Sequence, residues 1–525
     1  MVVSNSDLAS AAGAEILQDG GNAVDAAVAV GFALAVTHPE AGNIGGGGYM
    51  VVRMADGRSA AFDYREVAPA AATRDMYLGP DGVPTQESVV GYRAAAVPGS
   101  VAGLAAAEAA FGRLTLARVV APAIRLARDG FVVDSALHQS LRHAAPLIGR
   151  FAGKDRFLPR GAPLPVGSHL VQPELARTLD RIAEHGPSAF YGGPVADAIV
   201  AEERLGGGLI THADLGRYRV VRHVPLVSTY RGDTVLTMPP SSSGGVTIVE
   251  ALNVLATYDS LPPLGSAAYA HILGDVFQRV FVDRNDRLGD PDFVPVPVAQ
   301  LTDTGYARRV RATIQPARAV PTSALATALA EGSQTTPYSV VDAEGNAVAT
   351  TTTINDLYGS GVYVRGAGFF LNDEMDDFTA KPGVPNLFGL VQGAQNAIVP
   401  GKRMLSSMSP TIVLDSAGGV LLLVGGRGGS RIITSTAQVI LDVVDRHQTL
   451  PVAMAAPRIH HQALPDTLRY EVTAVSEAGL DSLRVMGHRV APGGASGTCV
   501  GILRVAGGGY EGVVDPRTSG GAVGY

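Results

Sequence analysis

The 525-residue chain has no tryptophan, a single cysteine, and lysine only at Lys154, Lys381 and Lys402. One cysteine excludes an intrachain disulfide and a cysteine-based zinc site, and Cys499 reads as a small core residue rather than a reactive thiol. Arginine therefore carries nearly all the positive charge. No run of basic residues occurs and the formal net charge is -7, which argues against a nucleic-acid partner. Long apolar runs are missing too. The most apolar stretch, residues 23–36, is short for a membrane span, is interrupted by Asp25 and is closed by Pro39, so it reads as a buried helix. No internal repeat or low-complexity tract stands out. Glycine, alanine and valine are abundant, and the length can bury a large core in one domain or several.

Helical and strand patterns alternate along the chain. Residues 104–111, 116–128 and 173–185 have apolar positions at three- and four-residue steps, as in helices. Thr211 reads as a helix cap, 222–236 as two short strands, and 267–286 as a long helix. Residues 315–334, rich in Pro, Ala, Ser and Thr, read as an unstructured stretch. Val420-Leu421-Leu422-Leu423-Val424 has a buried-strand pattern. Gly425-Gly426-Arg427-Gly428-Gly429 then reads as a turn into a helix starting near Ser430. Such a turn leaves backbone N–H groups free for an anion. A nucleotide-phosphate loop would also fit, but its Gly-Lys-Ser/Thr ending is absent.

The most informative segment runs from Gln334-Thr335-Thr336-Pro337-Tyr338 through Asp342 to Thr351-Thr352-Thr353-Ile354-Asn355. It reads as a strand, a tight turn and a returning strand. The loop Ala343-Glu344-Gly345 suits a three-residue turn, whose last position favours left-handed glycine. Pairing Asp342 with Asn346 sets Thr335 opposite Thr353, and strand alternation turns Asn355 to the same face as Thr353. A threonine hydroxyl is a poor nucleophile without a base beside it. Cleavage between Gln334 and Thr335 supplies one, because the new α-amine, with an ordinary pKa of about 7.7–8.0, sits on the nucleophile's own residue. Taken alone, the hairpin favours a plainer reading, an ordinary threonine-rich surface strand.

With these residues in hand, the chain resembles the gamma-glutamyltranspeptidases (glutathione hydrolases), N-terminal-nucleophile enzymes, nearly end to end. The resemblance is carried by Gly20-Gly21-Asn22-Ala23-Val24-Asp25, Thr37-His38-Pro39 and Gly45-Gly46-Gly47-Gly48 near the start. Phe62-Asp63-Tyr64-Arg65-Glu66 and Met238-Pro239-Pro240-Ser241-Ser242-Ser243-Gly244-Gly245 follow. Asn372-Asp373-Glu374-Met375-Asp376-Asp377, Leu405-Ser406-Ser407-Met408-Ser409-Pro410 and Gly428-Gly429-Ser430-Arg431 complete it.

That resemblance implies an α+β fold, the four-layer αββα sandwich, built from two autocleaved subunits, 1–334 and 335–525, with a cleavable linker near 315–334. It implies that Thr335 attacks a γ-glutamyl amide, with Thr353 holding the nucleophile and Gly428 and Gly429 forming the oxyanion hole. Arg65, Ser406 and Ser407 are implied at the donor's α-carboxylate, and Asp377, Glu374 and Asn355 at its α-ammonium. Glutathione and related compounds are the implied donors, and water, amino acids or peptides the acceptors. No cofactor or metal is implied. The subunits form a heterodimer from one precursor. Members are usually made with an export leader, so the implied location is periplasmic or extracellular. Residues 382–389 resemble a lid, with Phe388 where tyrosine is frequent. Pro337 and Arg427 also depart from the common pattern. The alternatives are a glutaryl-amide acylase of the same superfamily and a non-catalytic γ-glutamyl-binding relative. The acidic cluster Asp373-Glu374-Asp376-Asp377 and the pair His460-His461 are weak metal signals beside these readings.

Overall fold

The apolar run forms the helix Ala23–Thr37, and all 15 of its residues are buried. Asn22 caps it by accepting the N–H groups of Val24 and Asp25, while Asp25 accepts the Asn22 N–H in return. The Asp25 carboxylate also takes the N–H groups of Arg113 and Leu114, so backbone donors rather than water hold the charge that interrupts the run. Asp342, in the threonine hairpin, accepts the Ala23 N–H at 2.9 Å. That carboxylate ties the hairpin turn to the positive end of the buried helix.

The computed structural model describes residues 1–322, 335–494 and 497–525. Two antiparallel sheets form its centre. One has seven strands in the order Gly521–Val523, Val2–Ser4, Thr336–Val341, Ala347–Thr353, Gly47–Arg53, Ser59–Asp63, Val221–His223. The other has six, in the order Tyr510–Val514, Thr498–Arg504, Val420–Arg427, Thr411–Leu414, Asp233–Thr237, Leu226–Tyr230. Residues on both sides of Gln334 contribute strands to each sheet.

Three apolar layers separate four layers of structure. Val3, Tyr49, Val51 and Ala349 meet Leu236, Ile412, Leu423 and Ile502 between the sheets. The outer face of the seven-strand sheet packs on helices that include Asp7–Gln18, Ala23–Thr37 and Ser100–Phe111, with Leu116–Asp129 packed outside Ala23–Thr37. The outer face of the six-strand sheet packs on Gly244–Leu255 and Arg431–Val444, and Ala267–Arg287 packs in turn against Gly244–Leu255. This is the αββα sandwich the resemblance implied. Burying a Val, Leu or Ile side chain in such layers contributes about 1.5–3 kcal/mol each.

The local readings hold at Pro173–His185, at Ala267–Arg287 and at Thr211, which caps its helix in a reciprocal box with Asp214. Three differ. Residues 222–236 hold parts of three strands rather than two, because Pro225 has no N–H for a ladder and lets the chain cross from one sheet to the other. The strand from Val420 runs on through Arg427, held by pairing with Thr498–Arg504, so the turn shrinks to Gly428 and Gly429. Residues 315–322 are ordered and anchored at Ala319 and Thr322 rather than unstructured, while 315–318 are exposed. The Ala319 N–H donates to the Met486 carbonyl at 2.8 Å, Thr322 Oγ1 donates to the Ala463 carbonyl at 2.8 Å, and the Thr322 N–H donates to Asp466 at 2.8 Å. The rest of that stretch, 323–334, lies outside the described residues. No helix among the described residues is long and apolar enough to cross a membrane.

Candidate functional site

The hairpin has the expected register. Val341 pairs with Ala347 and Thr352 with Thr336, which sets Thr335 opposite Thr353. Gly345 takes the left-handed turn position with φ +88°. Thr353 Oγ1 accepts the Asn355 N–H at 2.7 Å and keeps its own hydrogen to donate. Asn355 reaches the site by a different route from the one strand alternation gives. The strand ends at Thr353, and Asn355 takes φ +77°, where its side-chain amide donates to the Asp373 carbonyl at 3.0 Å.

A small cavity opens at this point. Thr335, Thr353, Asn355, Arg65, Asp377, Ser406, Ser407 and Gly429 all line it, with Phe388, Leu390, Met408 and Ile432 as its apolar wall. Two of the expected residues stand back from the wall. Glu374 lies behind Arg65, fully buried, and Gly428 precedes Gly429 in the turn.

Gly428 and Gly429 have φ +130° and +57°, conformations that disfavour any side chain. Among the described residues, no backbone acceptor takes the N–H of either glycine. The helix Arg431–Val444 follows at once, so its positive end faces the same place. The arrangement suits a developing oxyanion.

Arg65 follows the strand Ser59–Asp63. Asp63 accepts the Arg65 backbone N–H at 2.9 Å, but the carboxylate partners of its guanidinium are Glu374, at 2.6 Å, and Asp377. Glu66 is farther, at 3.8 Å, and Asp63 pairs instead with Arg403 at 3.1 Å. The surface ion pair that a lone arginine invites is therefore absent, since Arg65 is fully buried. One guanidinium faces three buried carboxyls. Burial raises the Glu66 pKa to about 8, and burial also pushes Asp377 upward against the pull of Arg65 and Arg284. Burial together with repulsion from Glu66, Asp377 and Asp373 pushes Glu374 upward.

The Ser406-Ser407 loop is clamped from below by the serines after Pro240. Ser243 donates from both N and Oγ to the Ser406 carbonyl, at 2.7 and 2.5 Å. Ser242 Oγ donates to the Met408 carbonyl at 2.5 Å, and Ser241 Oγ donates to Asp63 at 2.8 Å. Asn386 of the lid-like segment donates to Asp377 at 3.1 Å, and Phe388 is buried against the cavity.

Several contributors carry no local signal in the sequence. Asn43 donates to the Thr353 carbonyl at 2.8 Å and accepts the Gly46 N–H at 2.8 Å. Arg284 donates to Ser407 Oγ at 3.3 Å from within a long helix, where nothing nearby marks it. The serine triplet is visible as a motif but not as a clamp.

The weak metal signals have other partners here. Asp373 accepts from Asn355 and Asp356, Asp376 from Ser88 and Leu387, and the remaining two acids meet Arg65. His460 is bonded to Thr434 and Gln462, whereas His461 takes the Ala463 N–H. In the group His271, Asp275 and His488, His271 Nδ1 bonds His488 Nε2 at 2.7 Å, His271 Nε2 bonds the Gln315 carbonyl at 2.7 Å, and Asp275 accepts from Arg279 at 3.0 Å.

The family model for gamma-glutamyltranspeptidase matches residues 9–525. The chain is 46% identical to the glutathione hydrolase proenzyme of Escherichia coli over 99% of its length and 90% of the relative's. It is 47% identical to that of Pseudomonas aeruginosa over 97% of its length and 91% of the relative's. Its fold is similar to the crystal structure of cephalosporin acylase from Bacillus halodurans, with a TM-score of 0.86 and 27% identity over 99% of this chain and 94% of that one. The chain belongs to the gamma-glutamyltranspeptidase family of N-terminal-nucleophile enzymes.

Proposed function

We propose that the chain is a self-processing γ-glutamyltransferase and glutathione hydrolase. The observation that carries this reading is the meeting of Thr335, Arg65, Asp377 and Gly429 around one cavity. Cleavage between Gln334 and Thr335 frees the α-amine, leaving a large subunit 1–334 and a small subunit 335–525 that remain interleaved as a heterodimer. The Thr335 hydroxyl, held by Thr353, attacks the γ-carbonyl of glutathione or a related donor while the α-amine takes its proton. Gly428 and Gly429 donate to the tetrahedral oxyanion, a contact whose loss costs about 2.7–4 kcal/mol. The amine leaves, and water or an amino acid or peptide amine resolves the γ-glutamyl ester on Thr335. Arg65, Ser406 and Ser407 hold the donor's α-carboxylate, and Asp377, Glu374 and Asn355 serve its α-ammonium. The reaction proceeds in the periplasm or outside the cell.

A glutaryl-amide acylase is the second reading, favoured by the structural likeness to a cephalosporin acylase. A glutaryl group has no α-ammonium, so Asp377 and Glu374 would face it with Arg65 as their one cationic partner among the described residues' ion pairs. The test is release of nitroaniline by purified, cleaved protein from γ-glutamyl and glutaryl p-nitroanilides side by side. Preference for γ-glutamyl supports the first reading; preference for glutaryl replaces it with the second.

A further inference from the structure

Three arginines are large, fully buried side chains: Arg65, Arg284 and Arg458. Two of them have carboxylate partners. Arg65 meets Glu374 and Asp377, and Arg458 meets Asp515 at 2.7 Å. Arg284 has only neutral acceptors. Its guanidinium donates to Ser243 Oγ at 3.1 Å, Asn285 Oδ1 at 3.1 Å, Gln392 Oε1 at 2.9 Å and Ser407 Oγ at 3.3 Å. Among the described residues, no carboxylate oxygen lies within ion-pairing distance of it. Burial lowers its pKa to about 10, with Asp377 acting the other way, so it stays charged at neutral pH. A buried charge without a counter-charge is costly, and proteins keep one where a ligand completes the pair.

The missing charge is on the donor. Ser407 Oγ accepts from Arg284, so its own hydrogen is free to point elsewhere, and Ser407 lines the cavity beside Thr335. Arg65 is already shared between Glu374 and Asp377, which leaves less of its charge for an incoming carboxylate. We infer that Arg284 is the second cation of the donor subsite, a positioning residue that polarises Ser407 and balances the α-carboxylate of the γ-glutamyl group. This rests on the γ-glutamyl reading and adds to it. Gln392 links the two ends of the subsite, because it accepts from Arg284 and donates to the Asp377 carbonyl at 3.1 Å. The acidic side thus serves the ammonium, and Arg284 with Ser407 serves the carboxylate, of the same zwitterionic carbon.

The test compares two donors on cleaved enzyme: γ-glutamyl p-nitroanilide, and 4-aminobutyryl p-nitroanilide, which keeps the amine and lacks the carboxylate. Arg284→Gln is expected to raise KM for the γ-glutamyl donor at least tenfold with kcat within about threefold, and to leave kcat/KM for the 4-aminobutyryl donor within threefold. Arg284→Lys should recover part of the γ-glutamyl KM. Equal losses on both donors, or no loss on either, overturn the inference. Should the glutamine variant not fold, the lysine variant carries the comparison, and its loss must still be confined to the γ-glutamyl donor. Wild-type enzyme with no γ-glutamyl activity overturns the functional reading and this inference together.

Discussion

Thr353 stands opposite Thr335 across the hairpin and uses its hydroxyl oxygen to accept the Asn355 N–H at 2.7 Å. With one lone pair engaged, the hydroxyl keeps its own hydrogen to donate, and the proposed mechanism directs it to Thr335. Thr353→Val keeps the shape and removes that donor. Self-cleavage and turnover should both slow roughly 10- to 100-fold, the loss expected when a hydrogen bond to a charged group worth about 1.5–3 kcal/mol disappears. Thr353→Ser should restore most of both. Gel-based cleavage rates and nitroaniline release measure the pair, and an unimpaired valine variant would remove Thr353 from the mechanism.

Asp377 is buried, bonded to Arg65, and joined to the lid-like segment through Asn386. Asp377→Asn removes the charge that complements an α-ammonium and the penalty against a substrate lacking one. The γ-glutamyl kcat/KM should fall by roughly 2–5 kcal/mol in transition-state terms, and the glutaryl-to-γ-glutamyl ratio should rise. An unchanged ratio would mean that Asp377 does not meet the donor.

Arg65 spans two carboxylates with a planar fork, and lysine cannot reproduce that. Arg65→Lys should reduce donor kcat/KM by less than the roughly 2–5 kcal/mol expected of full truncation, because one charged contact survives. Acceptor dependence should change little, and self-cleavage should continue. Wild-type donor kinetics in the cleaved variant would sink the carboxylate assignment. Loss of cleavage would give Arg65 a structural role through Glu374 and Asp377.

Glu66 makes stability depend on pH. Folded, it holds its proton up to about pH 8; unfolded, it loses that proton near its ordinary value of 4.5. Between these values the folded state binds the extra proton, so raising the pH favours unfolding, by at most about 1.4 kcal/mol per pH unit. The Tm of the cleaved enzyme should fall between pH 5 and 8, and Glu66→Gln should flatten that fall. Parallel curves for the two proteins would show that Glu66 contributes nothing to the fall and would leave it to other buried carboxyls such as Glu40 and Glu203, whose pKa values burial raises to about 7 and about 8.

Where the informative residues are close in sequence, the chain alone reveals the structure. The Thr335–Thr353 pairing follows from counting around Gly345, and the buried helix follows from the composition of 23–36. Arg65 cannot be resolved in the same way, since its partners Glu374 and Asp377 are about 310 residues away. Local sequence offers only Asp63 and Glu66, and the fold uses Asp63 for Arg403 instead. Arg284 is hidden for a related reason: its meaning lies in the carboxylate it lacks, which only burial reveals. Asn355 reaches the expected site although strand alternation fails locally, because the strand stops two residues before it.

If Thr335 is both the processing residue and the nucleophile, intact-mass spectrometry of purified protein will show it in one experiment. Two fragments are expected, with Thr335 as the N-terminus of the smaller, and that fragment should gain the mass of one γ-glutamyl group when turnover is trapped with donor. Thr335→Ala should remain a single inactive chain. A wild-type protein that stays intact yet hydrolyses γ-glutamyl amides, or a Thr335→Ala variant still cut immediately after Gln334, would contradict the dual role.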